Sequence, residues 1–226
     1  MNQISRLQRA SAVCFVPLLL AAPAPSVGQG IPGYPEHVTE YDPREVAMLP
    51  RFCPHTQLFR ERVPGGNDPE AIRRWHAAMG DIFLAMHHYC WGLMHMHRAK
   101  VLARDSQVRR FNFASAINEF DYVLRQARPD FALLPEILTK RGEALLGLGR
   151  AALALGEFER AIELKPDYWP PYAQIADYHK SQGDREKARA ILQAGLKHAP
   201  GTKGLQRRLQ ELDEPPAQMP TGRSSK

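Results

Sequence analysis

Apolar side chains recur at helical spacing along most of the chain after residue 68. The clearest stretch runs from residue 136 to residue 166, where Gly142 and Leu145 share a face of a first predicted helix. Phe158 and Ala161 share a face of a second. Because spacings of three and four residues place side chains on one side of an α-helix, the pattern predicts an all-α protein built from paired helices.

The second half of the chain repeats itself with a period of 34 residues. The recurring positions are Gly149, Ala154 and Pro166, which return as Gly183, Ala188 and Pro200. A period of this length is typical of helical hairpins that stack side by side. Such an array presents a curved surface to other proteins, so the repeat predicts a mode of action as well as a fold.

Small residues explain how the helices pair within a unit. Gly142 and Ala154 are predicted where the two helix axes come closest, because neither side chain holds the helices apart. Phe158 is predicted to fill the gap toward the next hairpin. Pro166 is expected to end the second helix just after Lys165, since proline cannot continue it.

These residues resemble the tetratricopeptide repeat family over about residues 132–201, as two consecutive units. The matching positions of the first unit are Gly142, Ala154, Phe158, Ala161 and Pro166, and those of the second are Tyr172, Ile175, Ala188 and Pro200. The departures are Arg141 for Leu, His179 for an aromatic residue and Gly195 for Ala. The resemblance implies a right-handed solenoid of helical hairpins that binds proteins.

A degenerate third hairpin is predicted before these units, because about three repeats are needed for a stable stack. Its second helix would contain Ala116, Phe120 and Val123 and stop at Pro129. Its first helix would cover residues 87–103, with an enlarged turn at 104–110.

A long helix is predicted to begin at Asp68. This residue supplies an N-cap, and Pro69 and Glu70 supply the first-turn proline and acid that favour a helix start. Gly80 is expected to divide the helix. The segment 68–130 is therefore predicted to hold a long helix and the degenerate hairpin.

The two ends of the chain have other compositions. Residues 1–28 have two arginines, an apolar run of 13 residues and small residues near the end, which is the layout of a cleaved signal peptide. The alternative is an uncleaved anchor, although a spanning helix needs about 20 apolar residues. Residues 29–67 are predicted to form an irregular arm with a short helix near Pro43–Leu49, residues 202–214 a capping helix, and residues 215–226 a disordered tail.

Charge and motifs exclude several classes of function. Without residues 1–28 the chain keeps 28 basic and 24 acidic residues, interleaved as on a solvated helix face, which argues against nucleic-acid binding. No nucleotide-binding, hydrolase or dinucleotide motif occurs, so neither an enzyme nor a cofactor is expected. Contact with a membrane is expected to be peripheral at most.

Export would leave Cys53 and Cys90 as the two cysteines of the mature chain. An oxidising compartment favours a disulfide between them, which would tie the arm to the first helix of the degenerate hairpin. The alternative is two separate thiols, one of them buried.

The segment 85–97 is unusually rich in histidine and methionine. Helical spacing gives it a possible set of copper or zinc ligands, namely His88, Cys90, Met94, His95 and His97. The competing interpretation is a buried helix face with ordinary core methionines, and a disulfide would also remove Cys90 as a ligand.

The resemblance further implies a partner-binding groove lined by the first helix of each hairpin. The matching positions are Glu136, Thr139, Glu143 and Leu146 in one unit and Ala173, Asp177 and Lys180 in the next. This set contains three acidic residues and one basic residue, so the implied partner is an extended or helical segment that carries Arg or Lys. The alternative is that these are merely exposed helix residues.

The sequence thus predicts a non-enzymatic periplasmic adaptor that acts through protein contacts in a cell-envelope assembly. The alternative from another class is a periplasmic protein that binds copper or zinc through residues 85–97.

Overall fold

The structure is a computed structural model that describes residues 40–214. The predicted signal peptide and the predicted C-terminal tail lie outside the described residues, as does the first part of the N-terminal arm. Within residues 40–214 the chain is helical and contains no β-strand. The prediction of an all-α fold is confirmed.

Nine α-helices follow one another between residues 40 and 214. They are α1 (Pro43–Ala47), α2 (Pro69–Met79), α3 (Met86–His97), α4 (Ser106–Gln126), α5 (Leu134–Gly147), α6 (Ala151–Leu164), α7 (Pro170–Ser181), α8 (Arg185–His198) and α9 (Lys203–Asp213). Short 3-10 segments lie at Cys53–His55 and Gly80–Ala85, and a π-helical turn at Arg98–Leu102 extends α3.

The helices pack in sequential antiparallel pairs. The extensive contacts are those within α3/α4, α5/α6 and α7/α8, with further contacts between neighbouring pairs, and α9 packs mainly on α8. This arrangement is the predicted stack of three helical hairpins with a C-terminal capping helix.

In each of the first two hairpins, an aromatic ring of the second helix packs on a glycine of the first helix. A Cβ atom built on Gly142 would lie 2.4 Å from the ring of Phe158, and one built on Gly92 would lie 2.4 Å from the ring of Phe120. Both rings are fully buried. Phe158 therefore packs inside its own hairpin, whereas the sequence predicts it toward the next hairpin. The edge of the ring comes this close to the opposite helix because glycine has no side chain.

The third hairpin has a different pair of residues at this contact. Ala176 and Leu192, each 34 positions after Gly142 and Phe158, are both buried in the cluster around α7, α8 and α9. Ala176 is larger than the glycine of the previous hairpin by one methyl group, and Leu192 is smaller than its phenylalanine. These two differences compensate, so the helices of the third hairpin stay close.

The hairpin α3/α4 has a longer connection than its neighbours. Gly92 and Phe120 are 28 positions apart, whereas Gly142 and Phe158 are 16 positions apart. The extra residues form the π-helical turn and the first turns of α4. The predicted turn at 104–110 is too long, because Asp105 accepts a hydrogen bond from the Val108 N–H at 2.8 Å and so starts the helix at Ser106.

Helix α2 begins and ends as its sequence predicts. The Asp68 carboxylate accepts hydrogen bonds from the backbone N–H groups of Ala71 and Glu70, and these bonds hold its pKa below the usual range. Gly80 ends the helix with a φ of 72°, a conformation that costs a glycine little.

The N-terminal arm, residues 40–67 of the described chain, is packed against α3. Trp91 donates its indole N–H to the Tyr41 hydroxyl at 2.9 Å, and the rings of Tyr41 and Phe59 stack at 4.3 Å. Glu45 on α1 forms a bidentate ion pair with Arg98 at the end of α3. The arm is thus part of the same hydrophobic core as α3, α4, α5 and α6. No helix within residues 40–214 has the length and apolar character that a membrane span requires.

Candidate functional site

Two of the predicted groove residues are interior residues. Thr139 is fully buried, and its hydroxyl donates a hydrogen bond to the Pro135 carbonyl at 2.7 Å. Ala173 is also buried, in the core of the third hairpin. Side chains with so little exposed surface are not available to a partner, contrary to the prediction that they line the groove.

The charge of Glu143 is balanced from within the protein. This carboxylate is mostly buried and forms ion pairs with Lys100 at the end of α3 and with Lys140 one turn earlier on α5, the latter at 3.1 Å. A buried carboxylate is stable only with such partners. Glu143 therefore adds little net negative charge to the groove.

The charged residues of α7 are paired with the capping helix. Asp177 accepts hydrogen bonds from Arg208 at 3.0 Å, and Lys180 lies 3.2 Å from Glu211. Leu146 is half-buried and borders a separate cavity of about 520 Å³ beside Asp177. In this half of the predicted groove, the negative charge of Asp177 is therefore neutralised by Arg208 of α9.

An open cavity of about 570 Å³ lies between the arm, α3 and α5, and we call it the groove cavity. Its lining combines apolar side chains from the arm and α3 with charged side chains from α3 and α5. The lining residues are Glu45, Met48, Leu49, Pro50, Leu93, Met94, Met96, His97, Lys100, Val101, Glu136, Lys140 and Glu143. Met48 and Val101 are the most exposed apolar members, with 54% and 66% of their surface accessible. Such a cavity suits an apolar side chain of a bound segment.

Glu136 is the carboxylate of this cavity that has no basic partner within residues 40–214. It accepts a hydrogen bond from the Tyr89 hydroxyl at 2.6 Å. Burial raises the pKa of Tyr89, and the negative charge of Glu136 raises it further. The pKa of Tyr168 is likewise raised by burial and then by Glu136 and Glu143. Glu136 is thus a partly exposed carboxylate in the lining of the groove cavity.

The sequence did not predict the contribution of the arm to this site. Met48 and Leu49 line the groove cavity because the arm is held on α3, by the pair of Glu45 with Arg98 and by the contact of Cys53 with Cys90. The available signal was the short predicted helix near Pro43–Leu49, which ends in apolar side chains.

Cys53 and Cys90 lie together where the arm crosses α3. Their Cα atoms are 5.8 Å apart, their sulfur atoms are at bonding distance, and both side chains are fully buried. A Cα separation of this size suits a disulfide. The geometry is therefore compatible with the predicted disulfide bridge.

The alternative set of metal ligands is not assembled. His88 Nδ1 lies 2.6 Å from a Glu119 oxygen, His95 Nδ1 lies 2.9 Å from the Asn112 oxygen, and Cys90 contacts Cys53. Met94 is buried in the core, and His97 lines the groove cavity. Within residues 40–214, no group of three or more His, Cys, Asp and Glu side chains is arranged to hold a metal ion.

His87 is a core residue of the same helix. Its Nδ1 lies 3.0 Å from the Leu84 carbonyl oxygen. Burial, and then the neighbouring His88, lower the pKa of His87 to about 4. His87 is therefore neutral at neutral pH, which is the state that a buried imidazole favours. His87, His88 and His95 thus act as hydrogen-bonded packing residues of α3.

Comparison with known proteins agrees with the architecture. Residues 145–212 match the family model described as Tetratricopeptide repeat. The chain is also similar to the Hsp70-Hsp90 organizing protein of Triticum aestivum, with 28% identity over 125 residues. That match covers 52% of this chain and 22% of the wheat protein, so the chain spans about a fifth of the length of this relative. Residues 145–212 therefore carry tetratricopeptide repeats, in agreement with the helical hairpins of this part of the chain.

Proposed function

We propose that this protein is a non-enzymatic adaptor that holds a segment of a partner protein in the groove cavity. Tetratricopeptide repeats are protein-binding units, and this supports the general class of function. The observation that carries the proposal is the open cavity of about 570 Å³ between the arm, α3 and α5, with Glu136 in its lining. The cavity offers both apolar contact and a negative charge to one bound segment.

The partner segment is proposed to contain an apolar side chain followed closely by Arg or Lys. The apolar side chain would contact Met48 and Leu93, which line the cavity from the arm and from α3. The basic side chain would pair with Glu136, because Glu143 and Asp177 already have basic partners. A charge-assisted hydrogen bond of this kind is stronger than a neutral one and fixes the register of the segment.

The wheat relative supports the adaptor class. Its name describes a protein that organises Hsp70 and Hsp90. The match covers about half of this chain. The partners of the present protein are proposed on the chemistry of its own groove cavity.

The protein is further proposed to work in the bacterial periplasm as part of a cell-envelope assembly. Support comes from the composition of residues 1–28, which matches a signal peptide, and from the geometry of Cys53 and Cys90, which suits a disulfide in an oxidising compartment. The bridge would hold the arm in the position that forms one wall of the groove cavity.

Substitution of Glu136 by glutamine tests the proposed contact. The change Glu136→Gln keeps an acceptor for the Tyr89 hydroxyl and removes the negative charge. The affinity for the co-purifying partner is expected to fall about tenfold, because the partner's basic residue loses its counter-charge. Affinity is measured by calorimetry with the partner that is isolated with the wild-type protein.

Glu159→Gln is the matched control, because Glu159 is an exposed carboxylate on α6 that does not line the cavity. This variant is expected to bind as the wild-type protein does. If Glu136→Gln and Glu159→Gln bind the partner equally well, Glu136 does not contact it, and the proposed binding mode is wrong.

A further inference from the structure

A second pocket lies on another part of the molecule, in the seam between the N-terminal arm and α2. Its volume is about 430 Å³. The arm contributes His55 and Arg60, and α2 contributes Arg73 and His76. Ile72 and Phe83 provide an apolar wall. Four side chains that are or can become cationic thus converge on one concave surface.

The two arginines of this pocket have no counter-charge in the described part of the chain. Among residues 40–214 the lining contains no acidic side chain, and neither Arg60 nor Arg73 forms an ion pair or a hydrogen bond through its side chain. The carboxylates near its histidines are Asp81, which is fully exposed and lies 3.8 Å from His76 Nε2, and Asp68, which interacts electrostatically with His55. Such a pocket has a net positive charge and suits an anion.

The two histidines add imidazole groups to the two arginines. The His55 ring is oriented by its Nδ1–H, which donates to the Gly66 carbonyl oxygen at 2.9 Å, so its Nε2 donates to an anion only in the imidazolium form. The His76 ring packs edge-on against Phe83, with ring centroids 6.4 Å apart. Polar and apolar groups therefore meet within the same pocket.

We propose that this pocket binds the phosphate group of an organic phosphate monoester, with the organic part against Ile72 and Phe83. Arginine guanidinium groups bind phosphate through paired hydrogen bonds, and a phosphate monoester has a charge of about −1.5 to −2 at neutral pH. That charge matches two arginines better than a singly charged carboxylate does. The apolar wall explains why an ester is preferred over inorganic phosphate.

Calorimetric titration of the purified protein with phenyl phosphate tests this proposal. Saturable binding of one molecule per chain is expected. The variant with both Arg60→Gln and Arg73→Gln is expected to bind at least about tenfold more weakly, because both charge-assisted contacts are lost. Since these side chains have no partners within the described part of the chain, the double variant is expected to keep the wild-type melting temperature.

Arg74→Gln is the matched control, because Arg74 is an exposed arginine beside Arg73 that does not line the pocket. It should bind phenyl phosphate as the wild-type protein does. Inorganic phosphate and benzoate are each expected to bind several-fold more weakly than phenyl phosphate. Absence of binding, equal binding by the double variant, or equal binding of inorganic phosphate or benzoate would overturn the proposal.

Discussion

Replacement of Phe158 by alanine is expected to lower the free energy of unfolding by about 3–5 kcal/mol, the usual cost of removing a buried phenyl ring. The ring is fully buried between α5 and α6, with its edge on Gly142. The substitution leaves a cavity at the place where the two helices of the hairpin are closest. Urea denaturation followed by circular dichroism measures the loss.

Two glycine substitutions distinguish the effect of this contact on stability from the effect of helix propensity. Gly142→Ala is expected to destabilise the protein by about 1–3 kcal/mol, because the new methyl group would lie 2.4 Å from the Phe158 ring. Gly156→Ala, on the exposed surface of α6 with nothing within 4 Å of its Cβ position, is expected to stabilise it by about 0.5–1 kcal/mol. If both substitutions stabilise the protein, the ring does not rest on Gly142 as described.

Reduction of the proposed Cys53–Cys90 disulfide is expected to lower the free energy of unfolding by about 3–4 kcal/mol. The bridge would close a loop with a sequence separation of 37 residues, and opening this loop increases the entropy of the unfolded chain. The mature protein is first weighed by intact mass spectrometry, which should show it two hydrogens lighter than the dithiol form. Urea denaturation with and without a phosphine reductant then gives the difference in stability.

The double variant with Cys53→Ser and Cys90→Ser is the control for this comparison. Its stability should not respond to the reductant, because it has no bridge to open. A native protein with two free thiols, or one whose stability is unchanged by reduction, would contradict the proposed bridge and remove one support for the periplasmic location.

The fold was predictable where a residue pattern recurs at a fixed spacing. Gly149, Ala154 and Pro166, with Gly183, Ala188 and Pro200 one period later, indicate the hairpins directly from the sequence, whereas the contact of Phe158 with Gly142 was not predicted. The pair of Gly92 and Phe120 makes the same contact, but the longer connection between α3 and α4 separates its members and conceals it. Recognition of this pair required the structure, because its spacing of 28 residues differs from the spacing of 16 residues between Gly142 and Phe158.

The candidate site was less predictable, because its charges depend on elements distant in sequence. The sequence placed Glu143 and Asp177 on helix faces, but it could not show that Lys100 comes from the end of α3 or Arg208 from α9 to pair with them. Burial of Thr139 and Ala173 likewise depends on how the helices pack in space. Within residues 40–214 Glu136 has no basic partner, and its hydrogen-bond donor, Tyr89, is uncharged.

Photo-crosslinking from the rim of the groove cavity tests the adaptor function most directly. A benzophenone amino acid replaces Met48, which is 54% exposed at the rim, and in a control protein it replaces Leu153, which is 60% exposed on α6 outside the cavity. Irradiation in living cells is expected to join the Met48 derivative to one partner protein, and Glu136→Gln is expected to reduce this adduct. The Leu153 derivative should not form it. Absence of an adduct at Met48, or the same adduct at both positions, would contradict binding in the groove cavity.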